Sequence, residues 1–444
     1  LALRIFFRRL EIVGREWVPQ GKVMFALNHP NGLIDPLFIL CYAGRPVSFL
    51  AKAPLFTMPV IGYFVRAFRC LPVYRQKDNN DPAQNREMMK RAVELLAEGN
   101  ALALFPEGTS HSDPRLKPFR SGAARIALSA AALADDTVKV VPVGLSYSRK
   151  HVFRSNALLL FGEPVEVRGG DAPAGGEPPR ERVQALTEEL AARVGALTLQ
   201  AESVDQVYLA EIAQRIIVAA NRDEGLPVPE NMADKLDFQR QLVAGHARVE
   251  DHMALDALVL KLRAYEASVR ALGLRVDDTF DYSAGVVVRY LVRTLLLFAV
   301  LAVPGLLGVV THYATYRLVG WLAFRLAKSD VDAVATGKVA AGLLLFPLTW
   351  CFAALAAGIW WHPLLGVVVG LALPFAGYCA LLWLESLAGL WVRGKALWFA
   401  VTKRGFVQHL VTERRAIRDE VLGLADLLER RSLEHQASLP DRTL

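Results

Sequence analysis

Cysteine is scarce in this chain: Cys41, Cys70, Cys351 and Cys379 are the four present among 444 residues. Their spacing fits neither a metal site nor a disulfide framework, so reduced, structural cysteines are expected and no metal is called for. Internal repeats are lacking as well. Charge is missing from two long stretches: residues 294–316 hold no Lys, Arg, Asp or Glu, and neither do residues 339–384, broken only by His362-Pro363. About 20 apolar residues span a bilayer, so the second stretch is long enough for a helical hairpin turning at Trp361-His362-Pro363. The first holds one span with a Pro304-Gly305 break. Stretches this long exclude the buried helices of a soluble core, and an integral membrane protein is expected.

What charge there is leans positive, with a net +7 and a pI near 9.2. Nucleic acid is excluded as the reason, because the basic residues flank the apolar segments: Arg289 and Arg293 before the first, Arg317, Arg325 and Lys328 after it, and Arg393, Lys395, Lys403 and Arg404 after the last. Such clusters follow the positive-inside rule and favour anionic lipid. They put both the N-terminal region and the C-terminal tail on the cytoplasmic face, which requires an even number of crossings. Tyr316 to Ala327 is therefore read as a short helix returning alongside 294–311, which makes two hairpins. Because it carries Arg317 and Arg325, a place at the membrane surface is the competing reading. The N-terminal run Leu1 to Leu10 is too short and too interrupted by Arg for a cleavable signal peptide. It reads as an interfacial helix inserting Phe6 and Phe7, with an ordinary packing helix as the alternative.

The expected organisation is an α/β domain over 1–167, a flexible linker over 168–182 and a charged helical domain over 183–282. A transmembrane region over 283–404 and a charged cytoplasmic tail over 405–444 follow. In the first of these, strand-like runs alternate with helix-like ones. Val23 to Leu27, Ala101 to Phe105, Val138 to Tyr147 and Ala157 to Phe161 read as strands, while Gln84 to Glu98 and Ser121 to Leu133 read as helices. The linker is rich in Gly and Pro between Arg168 and Pro179.

Two short segments follow the first two strand-like runs: Asn28-His29-Pro30-Asn31-Gly32-Leu33-Ile34-Asp35 and Phe105-Pro106-Glu107-Gly108-Thr109-Ser110-His111. Ligands bind at the carboxyl ends of strands in open α/β sheets, so both segments sit where chemistry is expected. On one continuous helix, positions six apart point about 240° away from each other. Pro30 and Asn31-Gly32 instead predict a loop at His29, with Asp35-Pro36 opening the next helix. Together with Cys70-Leu71-Pro72-Val73-Tyr74-Arg75 and Val141-Pro142-Val143-Gly144-Leu145, these segments resemble the four ordered motifs of the glycerophospholipid O-acyltransferases. The resemblance covers roughly residues 10–165. The family usually places four residues between His and Asp; the five here resemble the subgroup that acylates glycerol 3-phosphate or dihydroxyacetone phosphate.

The resemblance implies a mixed sheet flanked by helices, and acyl transfer to a hydroxyl of glycerol 3-phosphate, lysophosphatidate or dihydroxyacetone phosphate in phospholipid biosynthesis. The donor would be acyl-CoA or acyl-carrier protein, with no further cofactor. Such a reaction needs a base for the attacking hydroxyl and a site for the oxyanion. His29 is the expected general base, with Asp35 holding its tautomer and stabilising the imidazolium. By resemblance, Glu107, Gly108 and Thr109 belong to the acceptor-binding turn, with the Glu107 carboxylate holding a glycerol hydroxyl. Arg75 stands at the phosphate position, because guanidinium presents a fixed fork of donors. Lys117 and Arg120 are further candidates for phosphate or donor contacts, with a solvated charged loop as the plain alternative, and Lys52 is a weaker one. Two rival classes are a hydrolase that uses the same pair with water as acceptor, and a membrane scaffold without activity.

Overall fold

A computed structural model of the chain describes residues 2–32, 34–74, 82–173, 176–249, 251–278, 284–327 and 331–438. It divides into two compact units, Leu1–Gln200 with Leu322–Ala340, and Ala201–Trp321 with Ala341–Leu444.

The first unit is built on a mixed eight-stranded sheet. In chain order its elements are α1 (Ala2–Phe6), β1 (Phe7–Val13), β2 (Val23–Leu27), α2 (Ile34–Tyr42), β3 (Val47–Lys52), α3 (Pro59–Ala67) and β4 (Leu71–Val73). They continue with α4 (Pro82–Ala97), β5 (Ala101–Leu104), α5 (Gly122–Ala134), β6 (Val138–Tyr147), β7 (Ser155–Phe161), β8 (Val165–Val167) and α6 (Arg180–Ala196). The strand order is β1-β7-β6-β2-β5-β3-β4, with β8 on β6. Most neighbours run parallel; β6 meets β7 and β8 antiparallel. The unbroken apolar run of β2 is explained by its place between β5 and β6, buried on both faces. One face packs Phe25, Phe38 and Ile39 into a core, and the other packs Met24, Leu102 and the alanines of α5, whose small side chains let that helix approach the sheet closely. Since β2 and β5 are parallel, the segments that follow them leave the same edge.

Several boundaries differ from expectation. Phe6 and Phe7 do not reach for lipid: β1 pairs with β7, and both rings are buried in the core. The expected linker is partly structured, since Arg182 bonds the Asp171 carboxylate at 2.5 Å. α6 belongs to the first unit, where Val183, Leu186 and Leu190 are buried against the core shared with α5, so this unit extends to Gln200 instead of ending at 167. Helix α2 begins at Ile34, which places Asp35 in its first turn.

The second unit holds α7 (Val204–Asp223), α8 (Met232–His246) and α9 (His252–Ala271), most of α10 (Ala284–Ala327) and α11 (Val331–Trp360), then α12 (Pro363–Thr402) and α13 (Arg404–Ser438). The C-terminal tail is no loose appendage. Leu410 and Ile417 of α13 pack with Ile212, Ile216, Leu258, Leu262 and Tyr265 in one core. Arg414, fully buried, is ion-paired with Asp223 and donates to the Asp278 carbonyl oxygen. The return expected at Tyr316 to Ala327 does not form, because α10 is helical from Ala284 through Ala327 with Pro304 inside it. Among the described residues, three helices are long and apolar enough to cross a membrane: Leu291–Arg325, Val334–Trp360 and Pro363–Trp391.

Candidate active site

The loop between β2 and α2 brings His29 and Asp35 together despite their spacing. His29 Nδ1 lies 2.9 Å from Asp35 Oδ2. Asp35 has a fully buried side chain, while His29 keeps a small exposed edge. A buried carboxylate must be satisfied by donors, and Asp35 has three. Besides His29, the Asn31 N–H donates to Oδ2 at 2.7 Å and the Tyr147 hydroxyl donates to Oδ1 at 2.6 Å. With the carboxylate accepting only, the hydrogen-bond network assigns the imidazole proton to Nδ1. Nε2 then carries the free lone pair, and among the described residues no hydrogen bond engages it. The ring is stacked on Phe105, with centroids 3.9 Å apart and planes 15° apart, which fixes its orientation from the neighbouring strand end.

Glu107 anchors the second segment. Its buried carboxylate accepts from the His29 N–H at 2.9 Å, from the Lys117 N–H at 2.8 Å, and from His111 Nε2. Of about four lone-pair sites on a carboxylate, three are therefore taken inside the protein. Glu107 thereby positions the backbone of His29. Further ties lock the two loops together: the His111 N–H donates to the His29 carbonyl oxygen at 3.2 Å, and Lys150 Nζ donates to the Pro30 carbonyl oxygen at 2.6 Å. Asn28 is clamped both ways to Leu145, through Nδ2 to the carbonyl oxygen at 2.9 Å and through Oδ1 from the N–H at 2.7 Å.

Gly108 has φ +74°, where a side chain is strained, and the Arg120 guanidinium lies over it, with Nε 2.9 Å from where a Cβ would stand. Arg120 is exposed and thus brought to the turn; Thr109 lies half-buried beside it, its hydroxyl 3.3 Å from the Ser110 carbonyl oxygen. The Lys117 ammonium reaches Asp113 at 3.3 Å. Lys52 ends β3, at the same sheet edge. Arg75 lies outside the described residues; Tyr74 just before it is pinned by two hydrogen bonds with Asn85 of α4. A cleft opens on Asn28, His29, Glu107, His111, Leu116 and Gln200.

Tyr147, His111 and Lys150 had been given no role by the sequence alone. Tyr147 is held protonated: burial first, then the Asp35 charge and hydrogen bond, push its phenol well above the ordinary tyrosine range. Its one visible signal was a Tyr closing the strand that carries the Val141–Leu145 motif.

The arrangement is an imidazole oriented by a buried carboxylate, with its free nitrogen beside a cleft: a site for taking a proton from a hydroxyl. Comparison with known proteins agrees with this class. Residues 9–146 match the Acyltransferase family model. Glycerol-3-phosphate O-acyltransferase 2 of Saccharomyces cerevisiae is 28% identical over 283 residues, covering 60% of this chain and 37% of that protein. Glycerol-3-phosphate O-acyltransferase 1 of the same yeast is 23% identical over 449 residues, covering 78% and 58%. The 1-acyl-sn-glycerol-3-phosphate acyltransferase BAT2, chloroplastic, of Brassica napus is 33% identical over 141 residues, covering 31% and 38%. Residues 9–146 thus match an acyltransferase domain, similar to those of glycerophospholipid acyltransferases, and the chain spans less than two thirds of each of these relatives.

Proposed function

We propose that this protein transfers a fatty acyl group from a thioester, acyl-CoA or acyl-carrier protein, to a hydroxyl of glycerol 3-phosphate or a related phosphorylated glycerolipid. The observation that carries the reading is the His29–Asp35 pair, with Nε2 free beside the cleft. In this reaction Nε2 takes the proton of the acceptor hydroxyl as its oxygen attacks the thioester carbonyl. The new ester forms when the tetrahedral intermediate expels the thiolate, which the imidazolium reprotonates. Asp35 faces the positive ring throughout, so its charge favours the protonated state that forms. No protein nucleophile is required, since the acyl group passes directly to the acceptor. Glu107 keeps the base in place through the His29 N–H, Arg75 receives the acceptor phosphate, and Lys117 and Arg120 supply positive charge beside it.

The names of the yeast and Brassica relatives support phosphorylated glycerol acceptors, and the apolar helices support work at a membrane. The domain is placed on the cytoplasmic face, where the soluble thioesters and glycerol phosphates are found. The deciding experiment offers purified protein a labelled acyl-CoA with glycerol 3-phosphate, dihydroxyacetone phosphate or lysophosphatidate, each alone. Label in a phosphorylated acceptor is expected. Free fatty acid with no dependence on acceptor would make it a hydrolase instead.

A further inference from the structure

We infer that α10, although long and apolar enough to cross a membrane, lies lengthwise in the one lipid leaflet that faces the catalytic domain, and that only the α11–α12 hairpin crosses. The first ground is where the ends of these helices are held. The end of α10 and the start of α11 belong to the catalytic unit: Ala335 and Val339 are buried in the same core as Phe7 and Phe38, and Lys338 Nζ donates to the His151 carbonyl oxygen at 2.8 Å. The end of α10 is therefore on the catalytic side of any bilayer. Its beginning follows α7 to α9, which the chain reaches directly at Gln200–Ala201. Among the described residues up to 278, no helix is long and apolar enough to cross. Both ends of α10 thus stand on one side, and a continuous helix with both ends on one side does not cross.

The same reasoning closes the hairpin. α13 is tied to α7 and α9 by the shared core and by the buried Arg414–Asp223 pair. The end of α12 must therefore return to the side α11 left, which requires two crossings and not three.

The contacts of α10 give an independent ground. Going along it, Phe298 stacks on Trp383 with centroids 5.2 Å apart, Gly305 meets Trp383, and Gly308 meets Ala376 and Ala380. His312 Nε2 then accepts from Trp350 Nε1 at 2.8 Å, Thr315 bonds Thr349 at 2.8 Å, and Ala323 meets Gly337. The hairpin turns at Trp361-His362, so these partners begin far from the turn, come nearest to it around His312, and end far from it again. A helix passing from one membrane face to the other alongside a hairpin would instead approach or leave the turn along its whole length. Length agrees: 44 residues at about 1.5 Å each make a helix of about 66 Å, roughly twice the hydrocarbon thickness. Exposed leucines and valines such as Leu296 and Val303 meet lipid tails between two cationic ends, Arg289 with Arg293 and Arg317 with Arg325, whose side chains snorkel to anionic headgroups.

The test uses the full-length protein in sealed, oriented membrane vesicles, with an impermeant thiol reagent and the four native cysteines replaced. Single cysteines are placed by Lys90→Cys, Met253→Cys, Ser329→Cys, Asp426→Cys and His362→Cys. The first four are expected to react from one and the same face, and His362→Cys to be protected from it; detergent should expose all five. Met253→Cys reacting from the face opposite to Asp426→Cys, or to Ser329→Cys, would overturn the proposal, as would reaction of His362→Cys from the Lys90 side. Limited trypsin digestion of vesicles carrying the unaltered chain reads the same sidedness without cysteine replacement. Cleavage around Arg222–Lys235 and around Arg404–Arg418 is expected from one face, and cleavage from opposite faces would refute it.

Discussion

Asp35→Asn isolates what the buried charge does, because the site accommodates the amide. An asparagine oxygen in the place of Oδ2 still accepts from His29 Nδ1 and from the Asn31 N–H. The amide nitrogen then sits where Oδ1 was, facing a Tyr147 hydroxyl that can rotate and accept. Fold and tautomer survive, and the negative charge is lost. That charge lies one hydrogen bond, 2.9 Å, from a ring that becomes positive during transfer. At a charge separation of about 4 Å and an effective dielectric near 20, the attraction is worth about 4 kcal/mol. At about 1.4 kcal/mol per tenfold in rate, the variant should lose about 10³ in kcat. KM for the acceptor should change little, since Asp35 is buried beneath the imidazole and touches no substrate. The assay is steady-state transfer from labelled acyl-CoA, with circular dichroism and melting to verify folding. A folded Asp35→Asn variant that keeps more than about a tenth of kcat would refute the reasoning.

Other predictions follow from separate parts of the chain. Arg75→Lys keeps the charge but loses the two-pronged donor, so KM for the phosphorylated acceptor should rise while KM for acyl-CoA holds; the reverse pattern would move Arg75 to the donor side. Arg414→Ala leaves Asp223 buried and unpaired, and should cost about 3–5 kcal/mol in stability by denaturant melting, whereas an exposed pair such as Arg240–Asp237 should cost less than about 1 kcal/mol. Tyr147 and Tyr265 both have phenols raised by burial, first of all. A raised acid favours its neutral form in the fold, so their contribution to stability is complete below the ordinary tyrosine value near 10 and is lost as pH climbs toward the folded one. In an alkaline absorbance titration Tyr147→Phe should remove one unit of the late phase, and an unchanged late phase would count against it.

Much of the first unit was legible because its strands are apolar runs bounded by turn residues: Val23–Leu27 and Val138–Tyr147 form as read. His29 and Asp35 were legible as partners because Pro30 and Gly32 break the helix that would have separated them. Tyr147 was not, since its bond to Asp35 joins residues far apart in sequence and depends on the sheet order. The return read at Tyr316 rested on the need for an even number of crossings, with no Gly or Pro signal at that point, and local helix propensity carried α10 straight through. In α13 the charges concealed a buried stripe, Val407, Leu410, Arg414, Ile417 and Val421, at helical spacing. The stripe includes an arginine, which composition assigns to solvent and only a partner such as Asp223 can bring inside.

The central claim is that His29 Nε2 is the base for transfer to a phosphorylated glycerol hydroxyl. It is tested most directly by His29→Ala, assayed for movement of label from acyl-CoA to glycerol 3-phosphate and to lysophosphatidate, beside the unaltered protein in the same membranes. The substitution should leave the protein folded and membrane-bound while transfer falls by at least about 10², the low end of general-base catalysis. A folded His29→Ala protein retaining more than about a tenth of the rate would contradict it.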